Sequence, residues 1–228
     1  MRAVIVSHGQ PGDPGPQQDA IVLLANQVRA EAPGCDVAGA TLAAEGALAR
    51  ALTPGCLVYP MFMAQGWFTG RELPRRIAET GISARMMPPF GSDPGLPDLV
   101  RGILHAALDG RDPADVPVLL AAHGSQRSQA SFDATEAMAA LLRPDFAKLV
   151  TGYVEQQPFL AHAARDLGNG ICLPMFALRA EHVTDDLPNA LDAAGFTGRR
   201  LDPVGLHPAV PAMIAAALRR ALSGAKGR

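Results

Sequence analysis

The sequence predicts an α/β fold of two similar domains, each a parallel sheet flanked by helices, facing each other across a cleft. Three observations predict it. Short apolar runs alternate with longer amphipathic ones along the chain. A set of landmarks recurs 114 or 115 residues later. The 228 residues also suffice for two domains of roughly 110 residues, each able to bury its own core.

In the first half, strand-like runs lie at Ala3 to Val6, Val37 to Thr41, Gly55 to Pro60 and Ala84 to Met87. Helical patterns fall between and after them, at Asp19 to Glu31, Glu45 to Ala51, Arg71 to Thr80 and Leu96 to Leu108. The second half repeats the order, with strands near Val118, Leu149, Gly170 and Arg200. Its helices are expected near Phe132 to Leu142, Phe159 to Asp166, Asp186 to Ala194 and Val210 to Leu222. Strands that alternate with helices in this way pair in parallel and are covered on both faces.

The repeat is visible in its landmarks. Val4-Ile-Val-Ser-His-Gly9 returns as the apolar run Val118 to His123-Gly124, with His123 placed 115 residues after His8. Pro60-Met-Phe returns as Pro174-Met-Phe, and Glu72-Leu-Pro74 as Asp186-Leu-Pro188, both 114 residues on. Ordered landmarks in one register indicate duplication, where a single apolar match would not. The boundary is expected in the polar, Gly- and Pro-bearing stretch Asp109 to Pro117, giving repeats of residues 1–112 and 113–228.

Charge excludes several function classes. With 20 Lys and Arg against 22 Asp and Glu, the net charge is −2, so no footprint for nucleic acid or an anionic membrane surface is present. No signal peptide is readable at the N-terminus, and no run approaches the roughly 18 apolar residues of a membrane span. A cytoplasmic location is expected. Cys35, Cys56 and Cys172 match no zinc or disulfide spacing and read as buried apolar residues. The Met61, Met63, Met86 and Met87 group reads as core filling. Gly9 to Gly15 fits neither phosphate-loop spacing, so no nucleotide is expected, and it reads as a flexible turn.

Candidate chemistry gathers beyond the carboxyl ends of the strands, where open α/β sheets bind ligands. His123 follows a buried strand directly. His182 follows another, near a helix start expected to be capped by Thr184 or Asp185. Neutral imidazole ligates divalent cobalt, iron, nickel or zinc and also accepts protons near neutral pH. The repeat aligns His8 with His123 but Phe68 with His182, so the first half keeps one imidazole and replaces the other by an apolar ring. For each His alone, a strand-end residue satisfied by backbone reads equally well; the pairing favours chemistry. Trp67 and Phe68 could form a wall stacking on a flat ligand, or simply pack on their own domain. Arg71, Arg127 and Arg179 could meet ligand carboxylates, or be ordinary surface residues. His105, His162 and His207 show no partner spacing.

An apolar strand ending in His-Gly-Ser, followed by Pro-Met-Phe running through Glu-His-Val to Asp-Asp-Leu-Pro, resembles the sirohydrochlorin cobaltochelatase and ferrochelatase family of class II tetrapyrrole chelatases. The resemblance spans both halves. It implies a chelatase-like fold and insertion of a divalent metal, Co2+ or Fe2+ as substrate, into sirohydrochlorin or a related tetrapyrrole of cobalamin or siroheme biosynthesis, without ATP. It implies that His123 and His182 are the paired metal-handling histidines and that His8 is the first of the pair in a degenerate copy. It also implies a carboxylate partner at Glu155, within Tyr153 to Pro158, although a solvated loop Glu reads equally from the letters. Since a duplicated chain completes a two-lobed cleft alone, a monomer is expected. Two other readings stay open: a non-catalytic metal- or tetrapyrrole-binding protein on the same scaffold, and an unrelated bilobal α/β enzyme.

Overall fold

Arg2–Ser7 runs through five consecutive buried residues, the mark of a strand covered on both faces, and forms strand β1. In the computed structural model, which describes residues 1–179 and 185–223, β1 pairs in parallel with β2 (Asp36–Thr41) on one side and β3 (Cys56–Pro60) on the other. Strand β4 (Ala84–Met86) extends the sheet beyond β3, giving the order β2-β1-β3-β4. The helices between are α1 (Pro14–Glu31), α2 (Ala47–Ala51), α3 (Leu73–Glu79) and α4 (Leu96–Ala107).

The second repeat builds the same sheet. Its strands are β5 (Val118–Ala122), β6 (Leu149–Tyr153), β7 (Ile171–Pro174) and β8 (Arg199–Arg200), in the parallel order β6-β5-β7-β8. Its helices are α5 (Ala130–Leu142), α6 (Leu160–Ala163), α7 (Leu187–Ala193) and α8 (Val210–Ser223). The duplication holds at the level of single hydrogen bonds. Met61 N–H donates to Val6 O and Met175 N–H to Ala121 O, each at 2.7 Å; Gly91 N–H donates to Phe62 O at 2.9 Å and Gly205 N–H to Phe176 O at 3.0 Å. Both glycines are required by close approach, since a Cβ would stand 1.7 Å from Met63 O at Gly91 and 1.9 Å from Ala177 O at Gly205.

Compactness divides the chain differently from the sequence repeat. One unit comprises residues 1–93 with 208–228, the other residues 94–207. Each therefore lacks the last helix of its own repeat and holds that of the other. In unit 1, alternate strand residues Val4, Val6 and Val58 pack with Leu48, Leu73 and Ile77 on one face, while α8 lies along α1 on the other side. Helix α8 is tied there by polar contacts as well. Arg219 donates to Glu31 O, Arg85 donates to Ala221 O, and Arg220 pairs at 3.0 Å with the buried Asp93, which also accepts from the Tyr59 hydroxyl. In unit 2, Leu119, Ala121 and Cys172 pack with Leu160, Leu187 and Leu191. There α4 packs with α5 and is tied by Arg101 to Asp145.

Several boundaries differ from those read in the sequence, each for a local reason. Helix α1 starts at Pro14 rather than Asp19, because proline's fixed φ suits a first turn whose N–H groups have no intrahelical acceptor. The Gly9 to Gly15 turn is correspondingly shorter. Helix α2 starts after Gly46, whose φ of +67° excludes Glu45 from it. Helix α6 stops at Ala163, short of Asp166, which has a φ of +66°. Helix α7 starts at Leu187, with Asp186 at its N-cap position and no side-chain cap; of the two expected caps, Asp185 is not used and Thr184 lies outside the described residues. All three cysteines are buried. Among the described residues no helix is long and apolar enough to cross a membrane.

Candidate active site

His123 occupies the first position after β5, and the chain turns there because Gly124 adopts φ +72°. Its imidazole Nδ1 lies 2.8 Å from Gly124 O. A carbonyl oxygen can only accept, so Nδ1 carries the proton and Nε2 keeps the lone pair that a neutral imidazole offers to a metal or a proton. The backbone holds the residue just as firmly. His123 O accepts from Glu155 N–H at 2.9 Å and from Val154 N–H at 3.1 Å, so the residues leaving β6 wrap onto it.

That wrapping brings the Glu155 carboxylate to His123. Glu155 Oε2 lies 3.8 Å from His123 Nδ1, too far for a hydrogen bond but within ion-pair range once the imidazole is protonated. Both side chains are partly exposed, 37% for His123 and 43% for Glu155, so an incoming cation can reach them. The loop beyond is fixed by Ser125 N–H donating to Gln156 Oε1 at 2.7 Å. His182, the other expected metal-handling histidine, lies outside the described residues. Among the described residues no cluster of three metal-ligating side chains occurs.

Behind this turn stands a carboxylate that sequence reading did not single out. Glu136, on α5, accepts from the Tyr153 hydroxyl at 3.0 Å and from Thr151 Oγ1, and pairs with Arg143 at 3.0 Å. Burial raises its carboxyl, but the hydrogen bonds from Thr151, Arg143 and Tyr153 outweigh it and the net displacement is downward. Burial and the adjacent Glu136 charge push the Tyr153 phenol up, against the Thr151 hydrogen bond, so it stays protonated and donating. The one available sequence signal was the spacing of Glu136 along an amphipathic helix, which ordinarily marks a solvated face.

The first unit keeps the backbone of the corresponding turn, with Ala43 N–H donating to His8 O at 2.9 Å, and surrounds it with different side chains. His8 Nδ1 lies 2.5 Å from Gly9 O, the same backbone lock as at His123. Its ring packs edge-on against Phe68 with centroids 4.4 Å apart. Phe68 is flanked in turn by Trp67 at 4.9 Å and Phe62 at 5.9 Å. Trp67 is 57% exposed. The structure thus brings His8, Phe68 and Trp67 together as one aromatic surface. Below it Glu72 is buried, and hydrogen bonds from Arg75 and then Arg76 hold its carboxyl down at about 2. A cavity of about 490 Å³ borders Thr41, Glu45, Arg75 and Arg76; none of the expected site residues lines it, and its two arginines are already paired.

The expected arginines are exposed. Arg179 pairs with Asp202 at 2.6 Å. Arg127 lies on the loop after His123, where its own N–H donates to Ser125 Oγ. Arg71 sits in the π-helical turn Phe68–Glu72.

One solved structure is 53% identical over 97% of this chain and 99% of its own, with a TM-score of 0.92; it is the CbiX described as the terminal enzyme for biosynthesis of siroheme in denitrifying bacteria. The chain belongs to the CbiX family. The CbiX family model matches residues 117–221, most of the second repeat. Two structures of SirB from Bacillus subtilis, one with Fe3+ and one, from subspecies spizizenii, with cobalt, are 15% identical and cover 100% of this chain and 97% of their own, with TM-scores of 0.76 and 0.71. At that identity they establish that the fold is shared beyond CbiX itself. Comparison with curated proteins returns no match.

Proposed function

We propose that the protein inserts a divalent metal into sirohydrochlorin or a close tetrapyrrole without ATP, with the metal-handling site in the second repeat. The near full-length 53% identity to a CbiX carries this reading. That relative's described place at the end of siroheme biosynthesis favours Fe2+ as the metal, since siroheme is an iron tetrapyrrole; Co2+ is the alternative. Pathway, cytoplasmic location and monomeric state follow as part of the same proposal.

Metal insertion exchanges two pyrrole N–H protons for one M2+, so the site must both deliver a cation and take up protons. In the proposed mechanism His123 Nε2 presents the lone pair, with its tautomer set by the Gly124 carbonyl. His182 acts as its partner. Glu155 offsets cation charge and stabilises the imidazolium once a proton has been taken up. Trp67 and Phe68 form an apolar, π-rich surface suited to stacking on a flat ligand, and Arg127 and Arg179 are assigned to the carboxylates of the macrocycle.

The aromatic ring at Phe68 motivates a second reading, a binding protein without turnover. Absorbance of purified protein with sirohydrochlorin and either Fe2+ or Co2+, without ATP, separates the two. Metallation faster than the protein-free control supports insertion. A spectral shift on binding with no rate gain supports the second reading, and the absence of binding rejects both.

A further inference from the structure

The repeat exposes an asymmetry away from the metal-handling side chains. Thr41 ends β2 opposite Ser7, the residue before His8; Tyr153 ends β6 opposite Ala122, the residue before His123. The two are equivalent positions. In unit 1 the helix residue that holds this strand end is Gln18. Its amide donates to Gly39 O, and its carbonyl accepts from Thr41 N–H and Thr41 Oγ1. In unit 2 the same task falls to Glu136 on the corresponding helix, acting on Thr151 and the Tyr153 hydroxyl.

A neutral amide is the cheaper solution. A carboxylate with a side chain 29% exposed must be compensated, and three donors from Thr151, Tyr153 and Arg143 do so. Beyond the clamped strand end the two units wrap back alike, Ala43 N–H donating to His8 O and Glu155 N–H to His123 O, each at 2.9 Å; unit 2 differs in that the wrapped segment carries Glu155 and that the clamp grips an aromatic side chain. Tyr153 is fully buried, its ring is tilted against Phe132 at 5.2 Å, and the next two residues are the ones whose N–H groups bind His123 O. Phe132 and Glu136 stand one helical turn apart on α5 and grip the ring and the hydroxyl of the same tyrosine. Gly124 N–H meets Ser131 Oγ on that helix as well, at 3.3 Å.

From this geometry we infer that Glu136 is a positioning residue: through Tyr153 and Thr151 it fixes the end of β6, and so the placement of His123 against Glu155. It touches neither metal nor tetrapyrrole. The inference rests on the insertion activity proposed above, and its test includes a readout independent of that activity.

The experiment compares wild type with Glu136→Gln and Tyr153→Phe. Two measurements are made on each: steady-state metallation of sirohydrochlorin by Fe2+, and hydrogen exchange at the Val154 and Glu155 amides of the metal-free protein. Loss of the charged acceptor is expected to lower kcat about tenfold, because small displacements of reacting groups are costly. KM for metal and tetrapyrrole should stay within about twofold, since no binding contact is removed. Exchange at the two amides should quicken roughly fivefold or more, while the amides of β5 and β7 keep wild-type rates. Tyr153→Phe keeps the buried ring and should show the same pattern at smaller amplitude; it decides the matter if Glu136→Gln does not fold.

Wild-type exchange in both folded variants overturns the inference. So does faster exchange with unchanged kcat, or acceleration throughout unit 2, which would mark Glu136 as general structure. If wild type does not metallate, the proposed function fails and the exchange data alone judge the clamp.

Discussion

Gly124→Ala tests whether the turn that presents His123 is set by backbone geometry and close packing together. Gly124 has φ +72°, and a Cβ there would lie 2.8 Å from Gln156 Cγ and 2.9 Å from Tyr153 Cβ. The left-handed conformation costs an L-residue about 1–2 kcal/mol. Relieving the contacts requires moving Tyr153, which is fully buried, and overpacking of that kind costs about 1–3 kcal/mol. The two effects together predict a loss of about 2–5 kcal/mol. Gly55 provides the control, with φ +74° and nothing within 4 Å of the added Cβ. Gly55→Ala should therefore lose only the conformational part, about 1–2 kcal/mol. Urea unfolding monitored by circular dichroism measures both. Equal losses would rule out the packing contribution, and a neutral Gly124→Ala would rule out both contributions.

Two further predictions concern titratable groups. Glu72 has its carboxyl lowered from an ordinary 4.5 to about 2 by Arg75 and Arg76. A group bound more weakly by protons when folded stabilises above its unfolded pKa, so this contribution is complete above pH 4.5 and is lost as pH falls from there toward 2. Acid unfolding of Glu72→Gln, compared with wild type, should show a shallower fall in that window; identical slopes would contradict the assignment. Cys172 is fully buried and its thiol is pushed up to about 12 by burial, partly opposed by Arg200. It should resist a thiol reagent at pH 8 in the native protein and react only on unfolding, and rapid native labelling of Cys172 located by mass spectrometry would contradict this.

Much of the fold is legible in the sequence because fully buried parallel strands write themselves as continuous apolar runs, as in Val118 to Ala122. The duplication is legible because Pro60 and Pro174 and the two His-Gly turns keep one register to within a single residue. What the sequence does not reveal is the exchange of α4 and α8 between compact units, since amphipathic faces such as that of Leu96, Val100 and Leu104 specify burial but not the sheet that provides it. At the site, His123 and Glu155 are brought near each other through backbone bonds that no residue letter encodes. Glu136 is hidden for a related reason: a carboxylate on an amphipathic helix looks solvated until Tyr153 and Thr151 are seen to face it.

If one repeat handles metal and the other does not, the two strand-end histidines must differ sharply in their effect on turnover. Metallation of sirohydrochlorin by Fe2+ is therefore to be measured for wild type, His123→Ala and His8→Ala under identical conditions. His123→Ala is predicted to lose about a hundredfold or more in rate, the scale of removing a proton-accepting group. His8→Ala, which removes a ring already packed against Phe68, should stay within about threefold of wild type. Comparable losses in the two variants, or wild-type turnover by His123→Ala, would contradict the division of labour between the repeats.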